Sequence, residues 1–320
     1  MLRRVLQLAG ALCALGIGML QPALAETYPS RPITFIVPWG PGGGADALAR
    51  LSSRLLEPQL KVSIPVINVP GATGQSGLTK LLTAPADGYT MAVMTGDTGA
   101  LFANPNSRFK INQLIVLGVM IQQPSGFYVS MNSPMKNWDD VVKASKQHEL
   151  RVAVTGYGSP DALTVNYFKK RGVNLQAIPF PQPGLRYSSI IGGQSDLLYE
   201  QAGDVRSFID GKQIRPVMLF SDKQVAGFEN VPYSGKLGYH VKLPQFRVII
   251  VRAGTDPKIV KILQDALAKV ASTKEYAAYL KQQYALPTSY VSGKESGAYI
   301  QSWLAEAHEL GYSKAAQGAK

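Results

Sequence analysis

Cysteine is nearly absent from this sequence: Cys13 is the only one in 320 residues. It lies in an N-terminal apolar stretch, so the body of the protein has neither a disulfide nor a cysteine-ligated metal to hold it. Its core alone must do so, which a chain of this length can manage. Histidine is almost as scarce. His148, His240 and His308 are far apart and none sits in a motif. There is no His-x-x-x-His pair, no Gly-x-Ser-x-Gly elbow and no Gly-Lys-Ser/Thr phosphate loop. The familiar signatures of hydrolases, zinc enzymes and P-loop proteins are thus missing. Acidic residues are outnumbered, 21 against 33 Lys and Arg, for a formal net charge of +12. The cations are scattered rather than clustered. The densest group, Lys169-Lys170-Arg171, falls at the end of an expected helix, where it complements the helix dipole. That pattern disfavours nucleic acid as a partner. Past the N-terminus no apolar run is long enough to span a bilayer.

The N-terminus itself is informative. Arg3 and Arg4 precede an apolar run over 5–19, and Ala23-Leu24-Ala25 supplies the small-x-small pattern of a cleavage site. This reads as a secretory signal peptide over 1–25, cut before Glu26. A lipoprotein would instead need cleavage at Cys13, where Leu12 stands in place of a small residue. The expected location is the periplasm. Cleavage removes the one thiol and lowers the net charge by the two units of Arg3 and Arg4.

Strand and helix patterns then alternate. Residues 33–37 are a β-rich run ending at Pro38. A glycine turn follows, and Asp46 opens a helical pattern with Leu48, Leu51 and Leu55 on one face. A second strand at 65–68, a helix over 75–83 and a third strand at 89–94 complete a unit of the kind that builds parallel sheets. A second alternation begins at 127–131. Asn137 caps a helix, 151–155 is a strand, and Ser159-Pro160 starts another helix. Strands at 196–199 and 214–220 flank a helix over 203–209. A strand at 247–252 and a helix launched by Thr255-Asp256-Pro257 return to the first unit, with two more helices over 274–284 and 294–310. The expected division is 26–125 with 248–320 as one lobe and 126–247 as the other, joined by two crossing strands that act as a hinge.

Three loops follow strand ends and precede helix starts, the edge at which open α/β sheets bind ligands. Free N–H groups at a helix start suit an anion, and glycine lets a small ligand approach the backbone. From the first loop, Trp39, Gly42, Gly43, Gly44, Ala45 and Asp46 are candidate ligand contacts. The second offers Ala72 and Thr73; the third, Thr155, Tyr157, Gly158 and Ser159. Thr95, just past the third strand, and Gln201, at a strand end of the second unit, complete the set. Each loop also reads as an ordinary strand-to-helix turn. Asp46 is expected to cap its helix, since a carboxylate turned outward would repel an anion. Trp39 and Tyr157 either wall the pocket or pack as plain core or surface. Glu200 would suit an amino group on the ligand, or be a surface carboxylate. A bulky side chain at Gly43 or Gly158 is expected to abolish binding. The rival reading is a dinucleotide fold, because Gly42-x-Gly44-x-x-Ala47 matches its glycine fingerprint. That fingerprint wants an acid at the end of the second strand, where Asn68 stands.

Tyr28-Pro29-Ser30-Arg31-Pro32-Ile33, Val37-Pro38-Trp39-x-Pro41-Gly42-Gly43-x-x-Asp46 and Ala49-Arg50 resemble the opening of the Bug family. These are the TctC-like extracytoplasmic binding proteins of tripartite tricarboxylate transporters. Asn68-x-Pro70-Gly71-Ala72-x-Gly74, Ala86-Asp87-Gly88-Tyr89-Thr90, Gly192-Gly193-Gln194-x-Asp196 and Ala253-Gly254-Thr255-Asp256-Pro257 continue the likeness in order. The resemblance implies a two-lobed periplasmic binding protein (type II-like, Venus flytrap), each lobe an α/β unit with a mostly parallel sheet flanked by helices. It implies carboxylates gripped by backbone amides of two facing loops, here 43–46 and 155–159. It implies a monomer that passes a di-, tri- or aromatic carboxylate to transporter membrane subunits, without cofactor, metal or catalysis. A ligand-sensing partner of a membrane receptor and an exported enzyme are the alternatives. The sequence departs from the family at Trp39, in the proline-rich stretch 179–184 and at 231–235.

Overall fold

The computed structural model describes residues 27–104, 106–241 and 244–309; the expected signal peptide lies outside them. The chain first builds β1 (Thr34–Val37), α1 (Gly44–Leu60), β2 (Val66–Asn68), α2 (Gln75–Thr83), β3 (Thr90–Thr95), α3 (Gly96–Ala103) and β4 (Leu114–Gln123). A second unit follows: β5 (Ser125–Ser130), α4 (Trp138–Ser145), β6 (Leu150–Val154), α5 (Pro160–Lys169), β7 (Leu175–Pro179), α6 (Pro183–Ile191), β8 (Leu197–Gln201), α7 (Arg206–Asp210) and β9 (Ile214–Leu219). The described chain ends with β10 (Gln245–Arg252), α8 (Pro257–Ala271), α9 (Lys274–Gln282), β11 (Val291–Ser292) and α10 (Gly293–Glu309).

Two sheets result. The first has the order β11-β4-β10-β3-β1-β2 and the second β7-β6-β8-β5-β9. Both are mixed rather than mostly parallel. β1 pairs in parallel with β2 and β3, and β6 with β7 and β8, whereas β10 runs antiparallel to both β3 and β4 and β5 to both β8 and β9. The cause is the excursion into the second sheet. β4 leaves the first sheet as β5 enters the second, with only Pro124 between them, and β10 returns from the far side. Strands that arrive by such crossings need no right-handed helical crossover, so either direction is open to them.

Each sheet is buried on both faces, which is why its strands read as unbroken apolar runs. In β1, Phe35 and Val37 face one cluster with α1, α8 and α9, while Ile36 faces another with α2, α3 and α10. In β5, Phe127 and Val129 pack under Trp138 and Phe168, while Tyr128 faces Tyr187 and Ile190. One side chain breaks this division. Leu163, on α5 of the second unit, packs into the apolar cluster of the first and is 6% exposed. The lobes therefore touch through apolar as well as polar groups.

Candidate functional site

The helix starts behave as local chemistry dictates. Asn137 accepts the Asp140 N–H at 3.0 Å, Ser159 Oγ the Ala162 N–H at 3.3 Å and Asp256 the Lys258 N–H at 2.7 Å, each an N-cap. Asp46 does not. The cap of α1 is Gly43, and Asp46 lies inside the first turn. Its carboxylate accepts the Arg50 Nε and Nη2 at 3.0 and 2.9 Å, the Asn68 Nδ2 at 3.0 Å and the Gly42 N–H at 3.2 Å. Burial would raise its pKa, but hydrogen bonds from Arg50, Asn68 and Gly42 outweigh that and hold it below the usual carboxylate range. Asn68, which spoils a dinucleotide site, thus ties the first loop down; its amide also donates to the Trp39 carbonyl at 2.9 Å.

Between the two sheets lies a cleft whose free space is about 40 Å³, room for roughly three water molecules. Of the residues singled out in the sequence, Trp39, Gly43, Gly44, Ala45, Thr95, Thr155, Glu200 and Gln201 line it, Glu200 as a buried rather than a surface carboxylate. Gly42, Asp46, Ala72, Thr73, Gly158 and Ser159 stand outside the lining, and Tyr157 is 68% exposed. The second loop meets the third elsewhere: a Cβ built on Gly156 would come within 3.0 Å of Thr73 Oγ1. Gly43 faces Pro183 of the opposite lobe, whose Cγ would lie 2.9 Å from an added Cβ. A Cβ on Gly158, where φ is +76°, would point into open space.

Beside the first and third loops, ionic side chains reach into the same space. Asp204, from the turn after β8, pairs with Arg247 of β10, and both side chains are 3% exposed. The pair sits directly over the start of α1, where a Cβ at Gly44 would collide with both groups. Arg247 Nη1 also donates to Gln123 Oε1 at 2.5 Å, beside the Pro124 crossing. Arg186 of α6 donates from Nε and Nη2 to Glu200 Oε2 at 3.0 and 2.7 Å and from Nη1 to the Phe180 carbonyl at 3.0 Å. Burial would depress the Arg247 pKa, but Asp204, Tyr279, Tyr187 and Glu200 together outweigh it and the guanidinium stays charged. Burial raises Glu200, and Arg186 restores part of the loss.

A third contact joins two acids. Asp97, in the first turn of α3, faces Asp161, in the first turn of α5, across the cleft. Burial pushes the Asp97 carboxyl well up, and the charge of nearby Asp161 pushes it further. Both causes favour the neutral form of Asp97. Gln245 Nε2 holds Asp97 Oδ2 at 2.7 Å while its Oε1 accepts the Gly96 N–H at 2.6 Å. The Thr155 N–H donates to Asp161 Oδ2 at 2.6 Å.

Sequence reasoning missed Arg186, Asp204, Arg247, Asp97 and Asp161. Their only local signal is shared by the two last: like Asp46, each lies just inside a helix that follows a strand. Arg186 rides on α6, whose start lies in the proline-rich stretch that departs from the family pattern.

Comparison with known proteins gives this geometry a setting. The family described as the tripartite tricarboxylate transporter family receptor, TctC, matches residues 48–310. Protein BugT of Bordetella pertussis is 28% identical over 306 residues, 92% of this chain and 94% of its own length. A TctC solute binding protein from Polaromonas shares 27% identity at a TM-score of 0.65, covering 89% of this chain and 99% of its own. MatC from Rhodopseudomonas palustris, solved with bound malate, superposes at a TM-score of 0.81 with 20% identity, over 88% of this chain and 99% of its own.

Proposed function

The chain belongs to the tripartite tricarboxylate transporter receptor family, a family of solute-binding receptors rather than enzymes, and on that premise we propose that its cleft captures a small organic carboxylate in the periplasm. One observation carries this reading. The start of α1, with N–H groups that precede the first intrahelical acceptor, is covered by a carboxylate and a guanidinium, Asp204 and Arg247. A place that holds one carboxylate from the protein suits another from solution. Ligand entry then requires the lobes to part, since Asp204 and Arg247 occupy the space over the start of α1. Release of Arg247 from Asp204 presents the cation to the ligand, and reclosure buries the complex. The lobes are residues 26–125 with the segment after the second crossing, and the segment from 126 to that crossing. The loaded, closed form is what the membrane subunits of the transporter receive.

The test is a thermal-shift screen of the mature protein against malate, citrate, adipate and benzoate, followed by calorimetry. Binding to the native form raises Tm. A panel in which no carboxylate moves Tm would remove this reading.

A further inference from the structure

The charge inside the cleft is not that of a pure anion trap. Four acids line it, Asp97, Asp161, Glu200 and Asp204, against two cations, Arg186 and Arg247. All six are at most about a twentieth exposed, apart from the slightly more open Arg186 side chain at 7%. Even with Asp97 neutral, three acids face two cations. Adding a dianion would leave a buried surplus of several negative charges, and buried charge is tolerated only when paired.

The unpaired atoms are of both kinds. Trp39 Nε1 and Arg247 Nε are buried donors without a partner, and Asp204 Oδ1 is a buried acceptor without one. Buried groups left in that state carry their full desolvation cost, so a ligand that satisfies both kinds is favoured. A metal ion does not fit the acceptor side: among the described residues no three acidic or histidine groups are gathered to hold one. A protonated amine does fit, since it donates to separately placed carboxylates.

Resting on the reading above that the cleft binds carboxylates, we propose that its preferred ligand is zwitterionic, an organic acid that also carries a protonated amine. The carboxylate meets Arg247, Trp39 Nε1 and the start of α1. The ammonium meets the Asp204 oxygen, with Glu200 beside it.

Matched pairs test this: succinate against aspartate, glutarate against glutamate, adipate against 2-aminoadipate, by calorimetry on the mature wild-type protein. The aminated member of at least one pair should bind about tenfold tighter or better, the worth of one charge-assisted hydrogen bond. In Asp204→Asn, checked for folding by circular dichroism, that ratio should fall below about threefold. Diacids that bind as well as or better than their aminated partners would overturn the inference and leave carboxylate capture standing. Failure of every compound to bind would remove both. An undiminished ratio in Asp204→Asn and in Glu200→Gln would overturn the assignment of the amine to these acids.

Discussion

Three acid–arginine pairs stand at or beside the cleft, and they do different work. Asp46 and Arg50 join inside one helix turn, with the arginine side chain 53% exposed. Arg186 with Glu200, and Arg247 with Asp204, are shut away from water, the latter spanning the two lobes. Chemistry is shared; burial is not. The first pair is buried at Asp46 but open at Arg50, so its cation keeps its water while the acid fixes a loop. A buried pair has no hydrated alternative while the cleft is shut, so anything that separates its members must supply a substitute.

The sharpest break in this comparison is Arg186→Met. It strands Glu200 in the interior and should cost about 3–5 kcal/mol, read by urea unfolding. Gly43→Val comes next. The new side chain meets Pro183 across the cleft and should weaken closure by about 1–3 kcal/mol, seen as lost ligand affinity and a larger radius of gyration in solution scattering. An unaltered radius would mean that the two surfaces do not meet in solution.

Acidity separates the regions by sign. Asp97 is raised above its ordinary 3.8 by burial and by Asp161, so its share of stability is full below that value and declines as pH climbs through the folded one. Asp46 is lowered, so its share is present above its unfolded value and is lost on acidification. Asp97→Asn should flatten the decline of Tm on the alkaline side; a decline that persists would place the proton elsewhere. The smallest effect is expected from Asp46→Asn, about 1–2 kcal/mol, because Arg50 can return to water and the remaining amide oxygen can still accept from Asn68 or Gly42. Equal losses from Asp46→Asn and Arg186→Met would erase the distinction drawn between the pairs.

Much of the frame was legible because it depends on local pattern. The β1 run and the caps at Asn137, Ser159 and Asp256 all follow from residues adjacent in sequence. β4 carries no alternation to announce it, since both its faces are covered. α6 begins in a stretch whose three prolines read as irregular chain, although Pro183 occupies the first helical turn, where proline is welcome. The cleft was the least legible part. Asp204 and Arg247 are 43 residues apart, and charged residues are ordinarily a sign of surface. Nothing in spacing tells which of them will meet when two lobes fold toward each other.

Leu163 reaches from α5 into the apolar cluster of the other lobe. Each opening wets that side chain, at a cost of up to about 1.5–3 kcal/mol for a fully buried leucine. Attraction of this origin fades on cooling, whereas the ionic contacts beside it do not share that dependence. The resting molecule should therefore gape more at ice temperature than at growth temperature, and ligand exchange measured in the cold should be faster than heat-activated kinetics alone would give.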